Sequence, residues 1–170
     1  MRRVVVVGPG GAGKSTFARR LGERTGLPVI HLDEHHWRPG WVPTPKDEWR
    51  AIVTDLAAGD EWIIDGNYGG TIDVRVRAAD TAVFLDYAPL SCIARALRRS
   101  ISHYGRAVQA AGCRERVDLK FLRWIANYRR DSRPRVLEEL EAGGPGLEIH
   151  VLRHPRDAQR FLASLTESAD

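Results

Sequence analysis

Five short apolar runs alternate along the chain with segments in which apolar residues recur at helical spacing. The runs are nearly continuous in Val, Ile and Leu, which is the pattern of strands that are buried on both faces of a sheet. They occupy residues 3–7, 28–32, 61–65, 81–86 and 147–152. Strand and helix in alternation predict an α/β fold in which a five-stranded parallel sheet is flanked by helices. A single domain over residues 1–170 is expected, because no linker or internal repeat divides the sequence.

Amphipathic helices are predicted between and after these runs. The clearest one follows the second run, with Thr44 as its N-cap, Pro45 in its first turn and Gly59 at its end. Three more are predicted: one from Pro89, one over residues 118–128 and one from Pro155 to about Leu165. The helical pattern weakens over residues 105–117, which fits either a mobile lid or an ordinary surface loop.

The composition is that of an ordinary globular protein, with 43% hydrophobic and 28% charged residues. No apolar run approaches the roughly 18 residues that span a bilayer, so we expect a cytoplasmic protein without a membrane partner. The two cysteines, Cys92 and Cys113, form no CxxC motif. They favour free thiols in a reducing compartment, with a single disulfide left open.

Positive charge is concentrated in one part of the chain. Residues 95–135 carry eleven arginines and one lysine against three acidic residues, a net charge of +9, whereas the rest of the chain sums to −5. Such a block binds the phosphates of a nucleic acid or those of a bound nucleotide, or it forms a solvated helix face. We interpret residues 100–135, approximately, as an arginine-rich lid.

A phosphate-binding loop follows the first apolar run. The segment GPGGAGKS fits the pattern G-x-x-x-x-G-K-[ST], with a buried strand before it and a helical pattern after it. Its glycines let backbone N–H groups point at phosphate oxygens, and the helix start adds its positive dipole end. Lys14 is expected to reach the β- and γ-phosphates of ATP, and Ser15 to bind Mg²⁺. The predicted nucleotide-binding residues are Gly8, Gly10, Gly11, Ala12, Gly13, Lys14, Ser15 and Thr16.

Two carboxylates follow predicted strands, at the edge of the sheet where ligands bind in this class of fold. Asp65, at the end of EWIID, is the expected second contact for Mg²⁺, either directly or through water. Asp33, after the second run, is the expected residue that accepts or orients the proton of an acceptor hydroxyl. A helix or turn cap is the plainer interpretation of both.

The stretch HLDEHHWRPGW raises the question of a metal site. His35 and His36 are adjacent, so their side chains tend to diverge, and no cysteine or third histidine follows at zinc-site spacing. We favour the acceptor side of a kinase instead. Trp37 and Trp41 then form a flat wall of the acceptor pocket, or they pack under the following helix.

Two motifs resemble nucleoside monophosphate kinases of the adenylate kinase type: WIIDGNY resembles their DG strand end, and VFLDYAP resembles the strand that leads into their lid. The resemblance implies that Arg95 stacks on adenine and that Arg99 contacts phosphates. A narrower resemblance covers almost the full chain. The segments EWIIDGNY, AADTAVFLD, AGC and FLRWIANYRR look like those of adenylate-kinase-like bacterial proteins described as DNA topology modulation proteins. That group implies the P-loop fold and ATP binding, but no particular acceptor.

The chain departs from the adenylate kinase pattern after the strand-end aspartate. That family usually reads DG-x-P-R, in which the arginine binds the acceptor phosphate, whereas this chain reads DGNYGG. Asn67 and Tyr68 are candidate acceptor contacts, and Gly69 stands where the arginine would be. Arg75 or Arg77 could supply a cation at a different spacing. The departure argues against AMP and leaves a non-phosphorylated acceptor open.

Phosphoryl transfer depends on positioning and charge neutralisation, which Lys14 and an arginine-rich lid would supply while excluding water. The lid candidates are Arg129, Arg130, Arg133 and Arg135, of which Arg130 and Arg133 are assigned as catalytic. We favour an ATP-dependent kinase that acts on a nucleotide, a nucleoside or another small hydroxylated molecule. The alternatives are a nucleic-acid-associated ATPase or regulator, and a nucleotide-binding sensor without turnover. No helix-turn-helix or zinc-finger motif supports nucleic-acid binding.

Overall fold

A sheet of five parallel strands organises the chain, as predicted. The computed structural model describes the backbone of residues 1–167 and the side chains of residues 1–165, so the predicted domain end at residue 170 lies outside the described residues. In chain order the strands are β1 (Arg3–Val7), β2 (Val29–His31), β3 (Trp37–Arg38), β4 (Val42–Pro43), β5 (Trp62–Asp65), β6 (Thr81–Leu85) and β7 (Glu148–Leu152). The sheet has the order β2-β5-β1-β6-β7, and β3 and β4 form a separate antiparallel hairpin.

Helices cover both faces of the sheet. They are α1 (Lys14–Thr25), α2 (Leu32–His36), α3 (Lys46–Ala57), α4 (Ile72–Ala78), α5 (Pro89–Ser102), α6 (Leu119–Asp131), α7 (Arg133–Glu141) and α8 (Pro155–Glu167). Within residues 1–167, no helix is long and apolar enough to cross a membrane.

The central strand explains why the apolar runs are continuous. Val4 and Val6 are buried in a cluster with side chains of α1, α5, α6 and α8, whereas Val5 and Val7 are buried in a second cluster with side chains of α3, α4 and α7. Successive residues of a strand point to opposite faces. Because helices cover both faces, every position of β1 after the first must be apolar.

The second strand is shorter than its apolar run. The pattern predicts a strand over residues 28–32, but β2 ends at His31 because Leu32 begins α2 and is fully buried there. Asp33 therefore lies in the first turn of a short helix rather than directly on the strand end.

The start of α3 also differs from the prediction. This helix begins at Lys46 with Pro45 in the N-cap position, and it ends at Ala57, before Gly59. Thr44 does not cap it, since its hydroxyl donates to the carbonyl oxygen of His36 at 2.8 Å. Thr44 closes the base of the β3–β4 hairpin instead.

The other helix predictions are confirmed at their starts. Helix α5 begins at Pro89 and α8 at Pro155. Asp118 caps α6, because its Oδ1 accepts the backbone N–H groups of Lys120 at 2.8 Å and Phe121 at 3.2 Å. Helices α4 and α7 were not predicted. They span only seven and nine residues, and so short a helix shows little periodicity in its apolar residues.

Replacing Asp118 by Ala should remove this cap and lower the free energy of unfolding by about 1 kcal/mol. Urea unfolding measures the change. Glu138→Ala, at an exposed position of α7, is the control and should change stability by less than about 0.5 kcal/mol. Equal effects of the two substitutions would contradict the capping role.

Candidate active site

The phosphate loop connects β1 to α1 and leaves no room for side chains at two of its glycines. Gly8 and Gly11 have φ values of 148° and 75°, which favour glycine. A Cβ on Gly11 would lie 2.1 Å from the carbonyl oxygen of Cys92, and one on Gly8 would lie 2.7 Å from that of Leu85. The loop is therefore pressed between the end of β6 and the start of α5.

The remaining predicted nucleotide contacts belong to the same loop and helix start. Gly10 lies against the ring of Phe121, Ala12 is buried, and Thr16 is exposed in the first turn of α1. Gly13 takes the N-cap position with a φ of 88°. The first turn of the twelve-residue helix α1 therefore directs its backbone N–H groups towards the loop, and these donors can bind an anion there.

Lys14 opens α1, and its ammonium donates to the carbonyl oxygen of Pro9 across the loop at 3.0 Å. Burial lowers the pKa of Lys14, and the carboxylates of Asp33 and Asp65 partly offset that effect. The Arg99 guanidinium lowers the same pKa. All three charged groups therefore lie within electrostatic reach of the ammonium.

Asp65 is buried, with 3% of its surface exposed, and it joins three elements. Its Oδ2 accepts the Ser15 hydroxyl at 2.7 Å, and its Oδ1 lies 2.6 Å from Nδ1 of His31. The hydrogen bond with Asp65 raises the pKa of His31, while burial opposes the rise. His31 was not predicted as a site residue, because only the pairing of β2 with β5 places it beside Asp65.

Ser15 and Asp65 fit a Mg²⁺ site. A hydroxyl oxygen and a carboxylate oxygen 2.7 Å apart are ligands that Mg²⁺ takes together with phosphate oxygens and waters. An ion bound there would neutralise charge on the phosphates of ATP. In the described part of the chain, no group of three or more His, Cys, Asp or Glu side chains is arranged to hold a metal ion.

Asp33 is held by a tyrosine from the loop after β5. The Tyr68 hydroxyl donates to Oδ1 of Asp33 at 2.5 Å. Burial raises the pKa of Tyr68, and the Asp33 charge raises it further, so the phenol remains a donor at physiological pH. The tyrosine therefore orients the carboxylate that was predicted to act on the acceptor.

An aromatic cluster continues from Tyr68 towards the hairpin. The His36 ring centroid lies 4.5 Å from that of Tyr68, 4.6 Å from that of Trp49 and 4.8 Å from that of Trp37. Trp37 packs edge-on against Trp41 at 5.5 Å. Trp49 belongs to the core, whereas Trp37 and Trp41 are half-buried.

Trp41 is engaged with the region predicted as a lid. Its φ of 64° is unusual for a residue other than glycine. In this conformation its indole N–H donates to the carbonyl oxygen of Arg114 at 2.9 Å. The predicted acceptor contact therefore joins the hairpin to residues 105–117.

Asn67 supports the phosphate loop. Its Oδ1 accepts the backbone N–H of Gly8 at 3.3 Å and the hydroxyl of Tyr128 at 3.1 Å. The side chain predicted to contact the acceptor thus connects β1, the loop after β5 and α6.

Arg75 is not placed to contact an acceptor, contrary to the prediction, because its side chain is fully buried. The guanidinium donates to the carbonyl oxygens of Gly66 at 2.8 Å, Tyr68 at 3.1 Å and Thr71 at 3.2 Å. Burial lowers the pKa of Arg75 to about 10, which still leaves it charged at neutral pH. The residue fixes the loop that carries Tyr68.

Arg95 and Arg99 lie one turn apart on α5, beside the phosphate loop. Arg95 Nη1 donates to the carbonyl oxygen of Ala12 at 3.4 Å, and its guanidinium lies 5.2 Å over the ring of Tyr87. Burial raises the pKa of Tyr87, and the charge of Asp157 at the start of α8 adds to the rise. Stacking of adenine on Arg95, which the adenylate kinase resemblance implies, stays a prediction.

The other two arginines predicted as catalytic are engaged elsewhere. Arg133 contacts the buried carboxylate of Asp86, with Nε 3.0 Å from both oxygens. Arg130 pairs with its neighbour Asp131 at 2.6 Å, and its side chain is 76% exposed. Arg133 therefore anchors the start of α7 to the end of β6, and Arg130 is exposed beside Asp131.

Solved structures of three P-loop kinases have similar folds. Shikimate kinase from Acinetobacter baumannii in complex with shikimate has a TM-score of 0.64 at 13% identity, covering 99% of this chain and 93% of that one. A gluconokinase from Sinorhizobium meliloti gives 0.53 at 20%, covering 99% and 95%. A sugar kinase from Janibacter sp. gives 0.51 at 22%, covering 99% and 92%.

No protein-family model matches the sequence, and no curated protein matches it. The structural likenesses show that the chain has the P-loop kinase fold. The narrower resemblance to DNA topology modulation proteins stays a prediction.

Arg75→Ala should lower the free energy of unfolding by about 3 kcal/mol or more, because each of three abandoned carbonyl groups costs about 1 kcal/mol. Urea unfolding measures this loss. The exposed Arg77→Ala is the control and should change stability by less than about 0.5 kcal/mol. A stable Arg75→Ala protein with impaired acceptor binding would restore the original prediction.

Proposed function

We propose that this protein is an ATP-dependent phosphotransferase that moves the γ-phosphoryl group of ATP to a hydroxyl of a small molecule. The proposal rests on one observation: the Ser15 hydroxyl, next in sequence to Lys14 in the phosphate loop, donates to the carboxylate of Asp65 at 2.7 Å. The second carboxylate, Asp33, follows β2, which pairs with β5. A cation on the phosphates, a carboxylate for Mg²⁺ and a second carboxylate for the hydroxyl proton are what this reaction requires. The P-loop kinase fold supports the same reaction.

In the proposed step, the acceptor hydroxyl oxygen forms a bond to the γ-phosphorus while the bond from that phosphorus to the β–γ bridging oxygen breaks. The bridging oxygen keeps the electron pair and leaves with ADP. Asp33 accepts the hydroxyl proton, and Tyr68 keeps the Asp33 carboxylate oriented. Lys14 and Arg99 neutralise charge on the transferring oxygens.

The proposed nucleotide is ATP with Mg²⁺ held by Ser15 and Asp65. The guanidinium of Arg95 over the ring of Tyr87 offers a flat surface on which a purine can stack. The resemblances to adenylate kinases and to the DNA topology modulation proteins favour the same nucleotide.

The proposed acceptor carries no phosphate group at the position where adenylate kinases bind the phosphate of their acceptor nucleotide. Gly69 has no side chain there, and the guanidinium of Arg75 is buried against carbonyl oxygens. Two more arginines on this side are paired with carboxylates, Arg38 with Glu48 and Arg50 with Asp73, each at 2.6 Å. A nucleoside or a sugar-like molecule lying against Trp37 therefore suits this side better than a nucleoside monophosphate.

A nucleic-acid-associated ATPase is the second candidate, because the lid arginines Arg106, Arg114 and Arg116 are exposed. Binding of this kind should weaken steeply as salt is raised. The first proposal does not require such binding.

Lys14→Ala should lower ATP turnover by at least about 100-fold, since it removes a preorganised charge from the transferring phosphoryl group. Steady-state release of ADP measures the effect, and circular dichroism checks that the protein stays folded. Turnover at the wild-type rate in a folded variant would remove the phosphate-loop assignment.

Asp33→Asn should lower acceptor-dependent turnover by about 100-fold or more while leaving ATP affinity within about twofold, because only the proton acceptor is lost. Glu34→Gln is the matched control, as Glu34 is the next residue of α2 and is exposed. Equal losses in the two variants would show that Asp33 has no special role.

Matched acceptor pairs test the proposal as a whole. Nucleosides should stimulate ADP formation more than their monophosphates, and neutral sugars more than sugar phosphates, because the guanidinium groups of Arg38, Arg50 and Arg75 are already engaged by carboxylate or carbonyl oxygens. Stimulation by DNA alone would favour the second candidate, and stimulation only by phosphorylated acceptors would contradict the acceptor assignment.

A further inference from the structure

The lid segment, residues 105–117, is docked on the β3–β4 hairpin. The backbone N–H of Gly40 donates to the carbonyl oxygen of Gly112 at 3.1 Å. The indole N–H of Trp41 donates to the carbonyl oxygen of Arg114 at 2.9 Å. The hairpin on the acceptor side and the lid segment are thus held together by hydrogen bonds to the lid backbone.

The local backbone is shaped for this contact. Gly112 has a φ of 73°, and a Cβ there would lie 2.8 Å from Cβ of Pro39. Trp41 takes a left-handed conformation that residues other than glycine seldom adopt. The thiol of Cys113, which is fully buried, donates to the carbonyl oxygen of Arg38 at 3.3 Å. Residues 112–114 are therefore held closely against the hairpin.

The next residue of the lid segment, Glu115, is a buried carboxylate with 3% of its surface exposed, although both of its sequence neighbours are exposed. Its Oε1 accepts from Gln109 Nε2 at 2.6 Å, and its Oε2 accepts from the Ser100 hydroxyl at 3.4 Å. Arg99 Nε lies 3.4 Å from Oε1 as an ion pair. A buried carboxylate is stable only with such partners.

Arg99 connects this carboxylate to α5, the helix whose start borders the phosphate loop. Arg99 follows Arg95 by one turn of α5, and the Arg95 guanidinium donates to the carbonyl oxygen of Ala12 in that loop at 3.4 Å. The Arg99 charge also lowers the pKa of the Lys14 ammonium. The Nε of Arg99 is buried and makes no hydrogen bond within the described residues. Glu115 therefore holds the Nε side of the guanidinium by charge, and the Nη1 and Nη2 groups, which make no hydrogen bond to the described residues, are the donors left for phosphate oxygens.

We infer that Glu115 is a positioning residue, which holds Arg99 at the transferring phosphoryl group when the lid segment is docked on the hairpin. This inference rests on the proposed function. The contacts form a continuous path from Trp41, through the lid backbone, to Glu115 and Arg99. Docking of the lid segment on the hairpin therefore also positions Arg99. The arginine is in place for phosphoryl transfer only when the lid segment is docked.

Glu115→Gln tests this role, since it removes the charge and keeps the shape. In acceptor-dependent turnover, kcat should fall at least about tenfold, while KM for ATP stays within about twofold. Glu141→Gln is the matched control, because it removes an exposed carboxylate of α7 that has no role in the proposed site, and it should leave both constants within twofold. Glu115→Asp keeps the charge and should recover part of kcat. Unchanged kcat in Glu115→Gln would overturn the inference.

A double-mutant cycle separates positioning from a general structural role. In an Arg99→Ala background, Glu115→Gln should lower kcat by less than about twofold further, because the arginine it positions is gone. Full additivity of the two losses would overturn the inference. If Glu115→Gln does not fold, Trp41→Phe is the variant to use, because it keeps an aromatic side chain and removes the N–H donor. It should also lower kcat. Wild-type kcat in Trp41→Phe would then overturn the inference.

Binding of ADP with aluminium fluoride, a mimic of the transferring group, provides a readout that needs no acceptor. Glu115→Gln should bind this mimic at least about tenfold more weakly than wild type and bind ADP alone within about twofold. Equal weakening of both ligands would overturn the positioning role. A wild-type protein that transfers phosphate to no acceptor, but shows the selective loss in Glu115→Gln, would refute the proposed function and leave the inference standing.

Discussion

The desolvated ammonium of Lys14 is the constraint on which the site depends. A cation that is partly removed from water is unfavourable unless negative groups lie near it, and Asp33 and Asp65 provide them without forming an ion pair with it. Asp65 ends β5 and Asp33 lies in the short helix that follows β2, so both come near the ammonium because these two strands are parallel and end at one edge of the sheet. The glycines pressed between β6 and α5 then fix the loop from which Lys14 projects. Fold and electrostatics therefore specify one position for a polyanion.

The sheet could be predicted from the sequence because its strands are buried on both faces. Five apolar runs gave five strands, and the alternation with helices gave a parallel sheet. The phosphate loop could also be predicted from the sequence, since its glycines, lysine and serine lie in one short segment. Asp33 and Asp65 could be found because strand ends mark the ligand edge, although β2 proved shorter than its run.

The rest of the site depends on pairings between residues that are distant in sequence, and no periodicity shows these. Arg75 and Arg130 are both arginines on helices, yet one is buried against carbonyl oxygens and the other is exposed beside Asp131. His31 gains its role only from the register of β2 with β5. Glu115 looks like an ordinary charge of a basic segment, but the lid segment folds it inward against Arg99.

Phosphorus-31 NMR of the protein with ATP, Mg²⁺ and a panel of unphosphorylated hydroxylated molecules tests the central claim most directly. The account predicts a new phosphomonoester resonance that grows in step with ADP for at least one acceptor. It also predicts that this resonance is absent with Asp33→Asn, while ATP still binds. Formation of ADP with inorganic phosphate as the sole other product, across the whole panel, would contradict phosphoryl transfer to a small hydroxylated acceptor.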